Sequence, residues 1–406
     1  MHKSIKSIGL GEFVVLMAMM TSLTAMSIDT VLPALSAIGL DLGVKRPNDT
    51  QLVISLLFMG IAVGQMFLGP LSDSIGRKPT VYIGFGLFAI GSLMSMLTNN
   101  FEIMLAGRVL QGLGSAAPRV VVIALVRDQF SGREMARVMS FVMTVFIIVP
   151  VVAPAFGQAI LLLSHWRWIF GIFLMMVLFI GIWFAWRQPE TLSPDRLIPF
   201  SLVAIGRAIR EAVTNRMVFG YTVTMGLVHG SFLGYLNSAQ QVFQEQYGLG
   251  VLFPLYFAIF ALSLGCASIA NTRMVMHFGM YPLSFLALKS IATSSVLFFV
   301  ITVINAGQPP LWSLTCYFML TFFGLGILFG NLNALAMEPL GHIAGVGAAV
   351  VGSLSTFISL FIGTVIGQSY NGTVLPLIGG FATFSITAIL VMRWVKYNEP
   401  FPQASQ

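Results

Sequence analysis

Charge is scarce in this chain. Of 406 residues, 21 are Lys or Arg and 14 are Asp or Glu, so charged side chains make up 9%, where an ordinary soluble domain has about a quarter. Against 57% hydrophobic residues, that scarcity excludes a water-soluble enzyme and also a soluble protein with one anchor. Cysteine is nearly missing: Cys266 and Cys316 both fall inside apolar runs, which argues for core side chains and against a disulfide, a metal site or a nucleophilic thiol. No GxxxxGK[ST] loop is present, so ATP-driven transport has no engine, and no compact Cys/His/acid cluster has metal-site spacing. No convergent nucleophile and base can be picked out for an intramembrane enzyme, and no cofactor is expected. The net charge of +7 would suggest nucleic acid in a soluble chain, but here its placement between apolar runs makes that reading unnecessary.

What is present in quantity is apolar sequence, with 40 Gly and 34 Phe, the small and aromatic residues that suit packed helices in lipid. Apolar runs cover residues 11–32, 52–70, 80–97, 103–126, 135–163, 169–186, 217–239, 252–270, 282–304, 311–337, 345–368 and 374–395. Each is about the length that crosses a bilayer, so the spacing predicts an all-α membrane protein of twelve transmembrane helices. The first run carries Glu12 and Asp29 and precedes eleven more, unlike a cleaved signal peptide. Basic residues set the orientation. With the N-terminus inside, fifteen Lys and Arg fall on the cytoplasmic side, including Lys3, Lys6, Arg77, Lys78, Arg127 and Arg187, and three on the other, Lys45, Arg46 and Arg167. Both termini are therefore expected in the cytoplasm. Arg108, Arg119 and Lys289 lie within runs and count for neither side.

The longest connection holds Pro189, Pro194 and Pro199, then SLVAIGRAIREAV, in which Leu202, Ile205, Ile209 and Val213 share one helical face. It reads as an interfacial amphipathic helix. It divides the chain into an N-terminal six-helix bundle (1–187), a cytoplasmic linker (188–216) and a C-terminal six-helix bundle (217–406), the layout of a two-bundle transporter with a site near the midplane. A channel fits the helical composition but not this two-bundle pattern.

Residues 69–78, GPLSDSIGRK, form a polar link between the second and third runs. They resemble the loop signature of the major facilitator superfamily. RVLQGLGSA, beginning at Arg108, is similar to that superfamily's fourth-helix signature. DTVLPAL from Asp29, VRD at Val126 and HWRWIF from His165 resemble the drug:proton antiporters of the bicyclomycin and chloramphenicol resistance type. The resemblance covers about residues 10–395. It implies the major facilitator fold in a bacterial inner membrane and proton-coupled export of small amphiphilic compounds by alternating access. A carrier of one endogenous metabolite shares every one of these motifs. The partners implied are substrate, protons and the lipid bilayer, with no nucleic acid, and the protein is expected as a monomer.

Few groups can couple or bind. Asp29, near the outer end of the first run, is the leading proton carrier; Glu12 reads more simply as a boundary residue. Arg108, Gly112, Ser115 and Arg119 recur at four, three and four residues, one helical stripe with an arginine about 16 Å from its partner along the axis. The resemblance places Arg108 beside the proton-linked machinery, where its fixed charge would hold a nearby carboxylate ionised. Arg119 and Gln111 are candidate substrate contacts on the same helix. Related carriers often have a second acid about eight residues before the one resembling Asp29; here Thr21 stands there, which favours neutral, zwitterionic or anionic substrates. Pro150, Pro154 and Gly157 resemble a loosened antiporter signature and predict a bent gating helix, with Val149 and Gln158 departing from it. His229, Tyr235, Asn237 and Gln240 in the seventh run, and Tyr317, Asn331 and Asn333 in the tenth, are further candidate substrate contacts, because the resemblance lines the cavity with those helices. Gly69, Asp73, Gly76, Arg77, Lys78 and Asp128 are expected to form a conformational latch, Arg77 pairing with an acid such as Asp128. Asn371-Gly372-Thr373 matches a glycosylation acceptor by coincidence in the bacterial setting.

Overall fold

The computed structural model describes residues 9–397; Lys3 and Lys6, two of the basic residues used for orientation, lie outside them. Every element among the described residues is helical. In chain order they are α1 (Leu10–Asp29), α2 (Leu35–Asp41), α3 (Leu52–Ile75), α4 (Arg77–Leu97), α5 (Phe101–Gln129), α6 (Gly132–Leu163), α7 (Arg167–Arg187), α8 (Leu202–Thr214), α9 (Arg216–Gln240), α10 (Phe253–Phe278), α11 (Met280–Ile304), α12 (Leu311–Met337), α13 (Ala344–Gln368) and α14 (Leu375–Tyr397), with short 3-10 and π turns between some of them. Apart from the short α2 and α8, each has at least 20 residues and so reaches about 30 Å. Among the described residues ten stretches are long and apolar enough to cross a membrane, and one of them, Leu311–Gln368, contains both α12 and α13. The twelfth long helix, α9, falls short because it carries Thr222, Thr224, Ser231, Asn237, Ser238 and Gln240, all of them buried. Its polarity is spent inside the protein.

The chain divides into two compact units, Met1–Val203 with Leu236–Leu262, and Ala204–Tyr235 with Ser263–Gln406. In the first, α5 lies against α3 and α4, α4 also against α7, and α1 against α6 and α5. Missing side chains permit this closeness. A Cβ added at Gly112 would sit 2.0 Å from the Leu57 carbonyl oxygen, so only glycine lets α5 approach α3 there. In the second unit α11 lies against α12 and α14, repeating the way α4 meets α5 and α7. The stripe Gly226, Gly230 and Gly234 of α9 faces Ile358, Ile362 and Ile366 of α13, the counterpart of α1 against α6. Third helix on fourth and sixth, first on fifth: the two halves are repeats, and the all-α fold of twelve long helices in two six-helix bundles is the one the sequence predicts.

Three local expectations change. The polar link over 69–78 shrinks to Gly76, because α3 continues through Pro70 to Ile75 and α4 begins at Arg77. Gly76 has φ 105°, a conformation that favours glycine, and makes the reversal alone. Cys266 and Cys316 are free and exposed, not core. In a membrane-spanning helix the outward face is apolar too, so a position in an apolar run does not imply an interior one. In α8 the buried residues are Ile205, Ala208 and Ala212, while Leu202 and Val213 of the expected apolar face are exposed. That helix buries its small residues against the protein.

Candidate functional site

Asp29 is the last residue of α1, where the helix gives way to a 3-10 turn through Pro33. It is the one buried acidic residue among the described residues, and it makes no hydrogen bond or ion pair with any of them. Arg108 lies fully buried on α5. Its Nη2 donates to the Ser27 carbonyl at 2.7 Å, its Nε to the Val53 carbonyl at 2.9 Å and its Nη1 to Gln111 Oε1 at 2.5 Å, with the Phe170 ring 5.7 Å away. One guanidinium thus ties α1, α3 and α5 together, two residues from Asp29. Its partners are carbonyl oxygens, where the sequence suggested a carboxylate.

Gln111 is occupied at both ends, accepting from Arg108 and donating through Nε2 to Ser92 Oγ at 2.9 Å. It orients the arginine rather than presenting a free amide. Ser115 continues the stripe: its carbonyl accepts from Thr24 Oγ1 at 3.2 Å, which ties α1 to α5 a second time. Arg108, Gly112 and Ser115 are buried, whereas Arg119 is exposed and has no hydrogen bond or ion pair among the described residues. Thr21 spends its hydroxyl on carbonyls of its own helix.

The turn at Gly76 carries a second cluster. Arg77 Nη1 meets Asp73 Oδ1 at 2.5 Å and Ser72 Oγ at 2.8 Å, and its Nε meets Asp128 Oδ2 at 3.0 Å. Glu190 was not singled out in the sequence, yet its carboxylate accepts from the Arg77 and Lys78 backbone amides at 3.1 and 2.9 Å, capping α4. Thr191 Oγ1 donates to Asp128 at 3.0 Å, Lys78 Nζ to the Ala185 carbonyl at 3.1 Å, and the Ile198 amide to the Asp73 carbonyl at 2.9 Å. Residues after α7 are laced onto the turn. The only local signal was an acid beside Pro189. Gly69 is buried inside α3 one residue before Pro70. Glu12, read as a boundary residue, accepts from Arg187 and from Trp183 Nε1 at 3.0 Å.

Pro150 and Pro154 lie inside α6, which remains helical from end to end, and a Cβ on Gly157 would fall 2.0 Å from the Thr30 carbonyl oxygen. The remaining candidates separate into two groups. Asn237 donates to Ser55 Oγ at 3.0 Å and Gln240 to Ser36 Oγ at 2.7 Å, and next in the chain Gln241 bonds both Gln51 and Asn48, contacts that the sequence did not reveal. His229 stacks on Phe329 with centroids 4.3 Å apart, Tyr235 packs on Phe318 and Phe322, and Tyr317 bonds Ser295 Oγ at 2.8 Å and stacks on Phe298. Asn331 pairs reciprocally with Asn271 at 2.9 and 3.0 Å, and Asn333 is exposed.

Twelve long helices in two repeats, most of them apolar enough to span a membrane and with a handful of polar and charged groups placed inside them, define a multi-pass secondary transporter of a small solute. The chain belongs to the Major Facilitator Superfamily, whose family model matches residues 17–364. It is 30% identical to the uncharacterized MFS-type transporter YdgK of Bacillus subtilis, over 92% of this chain and 94% of that protein. It is 27% identical to a bicyclomycin resistance protein homolog of Haemophilus influenzae, over 95% of each, and 28% identical to the multidrug resistance protein MdtL of Escherichia coli, over 92% and 93%. Among solved structures, the xylose transporter XylE of Escherichia coli, in a partially occluded inward open conformation, superposes with TM-score 0.72 over 95% of this chain and 97% of that one at 12% identity, a likeness of fold.

Proposed function

We propose that the protein is a proton-coupled antiporter that exports small amphiphilic compounds across a bacterial inner membrane by alternating access, with both termini in the cytoplasm. The observation that carries this reading is Asp29, the one buried carboxyl among the described residues and one without a bonded partner there. Gaining or losing a proton at such a place changes the local energy sharply, which is what coupling requires. Arg108, held on Ser27, keeps a fixed positive charge close by. The names of the resistance-type relatives support export of drugs over uptake of a nutrient. Of the expected substrate contacts, Arg119 and Asn333 are exposed and His229 is half-buried, which supports a role in contact with the solute. The Asp73, Arg77 and Asp128 cluster serves as a latch that opens and closes with each cycle.

The test is substrate-dependent proton release in proteoliposomes across a panel of amphiphilic antibiotics. Asp29→Asn is expected to abolish transport driven by a pH gradient while leaving ligand binding. Normal proton-coupled flux in that variant removes Asp29 from the role. Transport of a single metabolite, with no antibiotic moved and no proton released, overturns the export reading.

A further inference from the structure

Arg119 is a cation without a counter-charge among the described residues. It lies eighteen residues after Phe101 and ten before Gln129 in α5, hence about 27 Å and about 15 Å from the helix ends. Other cations away from span ends are served: Arg108 by three acceptors and Lys289 by the Phe285 ring, 4.7 Å from its Nζ. The Arg119 side chain keeps accessible surface although its guanidinium lies deep among protein atoms, and, among the described residues, it is neither hydrogen-bonded nor ion-paired. Its stem is far shorter than the path to the helix end, so snorkelling does not relieve it. A charge at that depth needs water and an anion.

The register of α1 against α5 shows that no carboxylate is at hand on α1. Thr24 bonds the Ser115 carbonyl, while Arg108, seven residues before Ser115, bonds the carbonyl of Ser27, three residues after Thr24. The two helices therefore run antiparallel. Counting four residues on from Ser115 and four back from Thr24 puts Arg119 level with Met20, and Asp29 about 14 Å further along the axis. Next to Met20, the Thr21 hydroxyl is turned onto the carbonyls of Met17 and Ala18 at 3.2 and 2.9 Å. One turn beyond Arg119, Ile123 is 47% exposed and offers apolar surface beside the charge.

We propose that the transported compound is an amphiphilic acid and that Arg119 docks its carboxylate or equivalent oxyanion, an inference that rests on the transport reading and narrows its substrate class. The planar guanidinium can give two parallel N–H donors to one carboxylate, and Ile123 receives the apolar body next to it. An inorganic anion has nothing to place on that apolar surface.

The experiment uses purified full-length protein and a set of aromatic carboxylic acids, each paired with its neutral carboxamide, with inorganic phosphate as a small-anion control. Binding is read as thermal stabilisation of the wild type, R119K and R119Q. At least one acid is expected to stabilise the wild type where its amide does not, with affinity about tenfold or more weaker in R119Q and partly recovered in R119K. The proposal is overturned by the absence of any acid preferred over its amide, by an acid preference that R119Q keeps, or by equal stabilisation from phosphate. If unliganded R119Q does not fold, R119K decides: stabilisation by the acid that is weaker than in the wild type, with the amide still without effect, supports the docking role, and unchanged acid binding overturns it. Proton release is measured separately in proteoliposomes. Acid-selective binding through Arg119 without proton release sinks the antiport reading and leaves the docking site standing.

Discussion

Replacing Gly112 by Ala tests whether close approach of α5 to α3 sets the position of Arg108. The added Cβ would lie 2.0 Å from the Leu57 carbonyl oxygen, 2.9 Å from its carbon and 3.1 Å from Gly60 Cα, all backbone atoms of α3. No side chain can swing aside, so the helices must part by about 1.4 Å to restore ordinary contact at 3.4 Å. One turn away along both helices, the 2.9 Å bond from Arg108 Nε to the Val53 carbonyl would then be pulled beyond hydrogen-bond reach. Overpacking costs about 1–3 kcal/mol and loss of a charged hydrogen bond about 1.5–3 kcal/mol, offset by about 0.5–1 kcal/mol of helix propensity for Ala over Gly. The net expectation is a loss of about 2–5 kcal/mol. Gly86→Ala on α4 is the control, since a Cβ there meets nothing within 4 Å and only the propensity gain applies. Thermal unfolding in detergent should rank G86A at or above the wild type and G112A well below both, with G112A inactive in solute counterflow. A G112A protein as stable and active as G86A would refute the link between this contact and the arginine.

Two further perturbations address the turn at Gly76. Arg77→Ala leaves Asp73 and Asp128 facing each other without the buried cation between them and should cost about 3 kcal/mol or more; R77K should restore part of it, because an ammonium cannot reproduce the fork that reaches Ser72 and both acids. A double-mutant cycle with Asp128→Asn measures this, and additive effects would show that the pair does not interact. Glu190→Ala uncaps α4 and should cost about 0.5–2 kcal/mol, with E190Q between. Limited trypsin digestion reads the same change: cleavage at exposed Arg196 should quicken in E190A, and an unchanged rate would mean that the linker is held by other contacts.

Much of the fold was legible because hydropathy is local. The run expected over 311–337 is α12 to the residue, and the other spans agree within a few residues except where α3 and α10 run on beyond their apolar stretches. The charged ends of those two helices carry no hydropathy signal, although Asp73 is neutralised by Arg77 one turn away and so fits in a helix. The candidate site was legible as a set of residues, since a charge or amide inside an apolar run stands out. Their partners were not. Gln111 and Asn331 stand out as candidate substrate contacts, but Ser92 and Asn271, which occupy their amides, lie far off in sequence.

By itself, then, the sequence determined the number of long helices, the two repeats and the short roster of ionisable groups within them, because each depends on composition over about 20 residues. Only the tertiary structure decided which of those groups are spent and which remain available. Arg108 meets Ser27 across 81 residues, Glu190 meets the Arg77 amide across 113, and Arg119 meets no partner among the described residues. The physical reason is that a membrane helix is apolar on its lipid face as well as its packed face, so periodicity cannot tell the two apart. Burial and pairing are settled by which helices come together, and glycines such as Gly112 settle how closely.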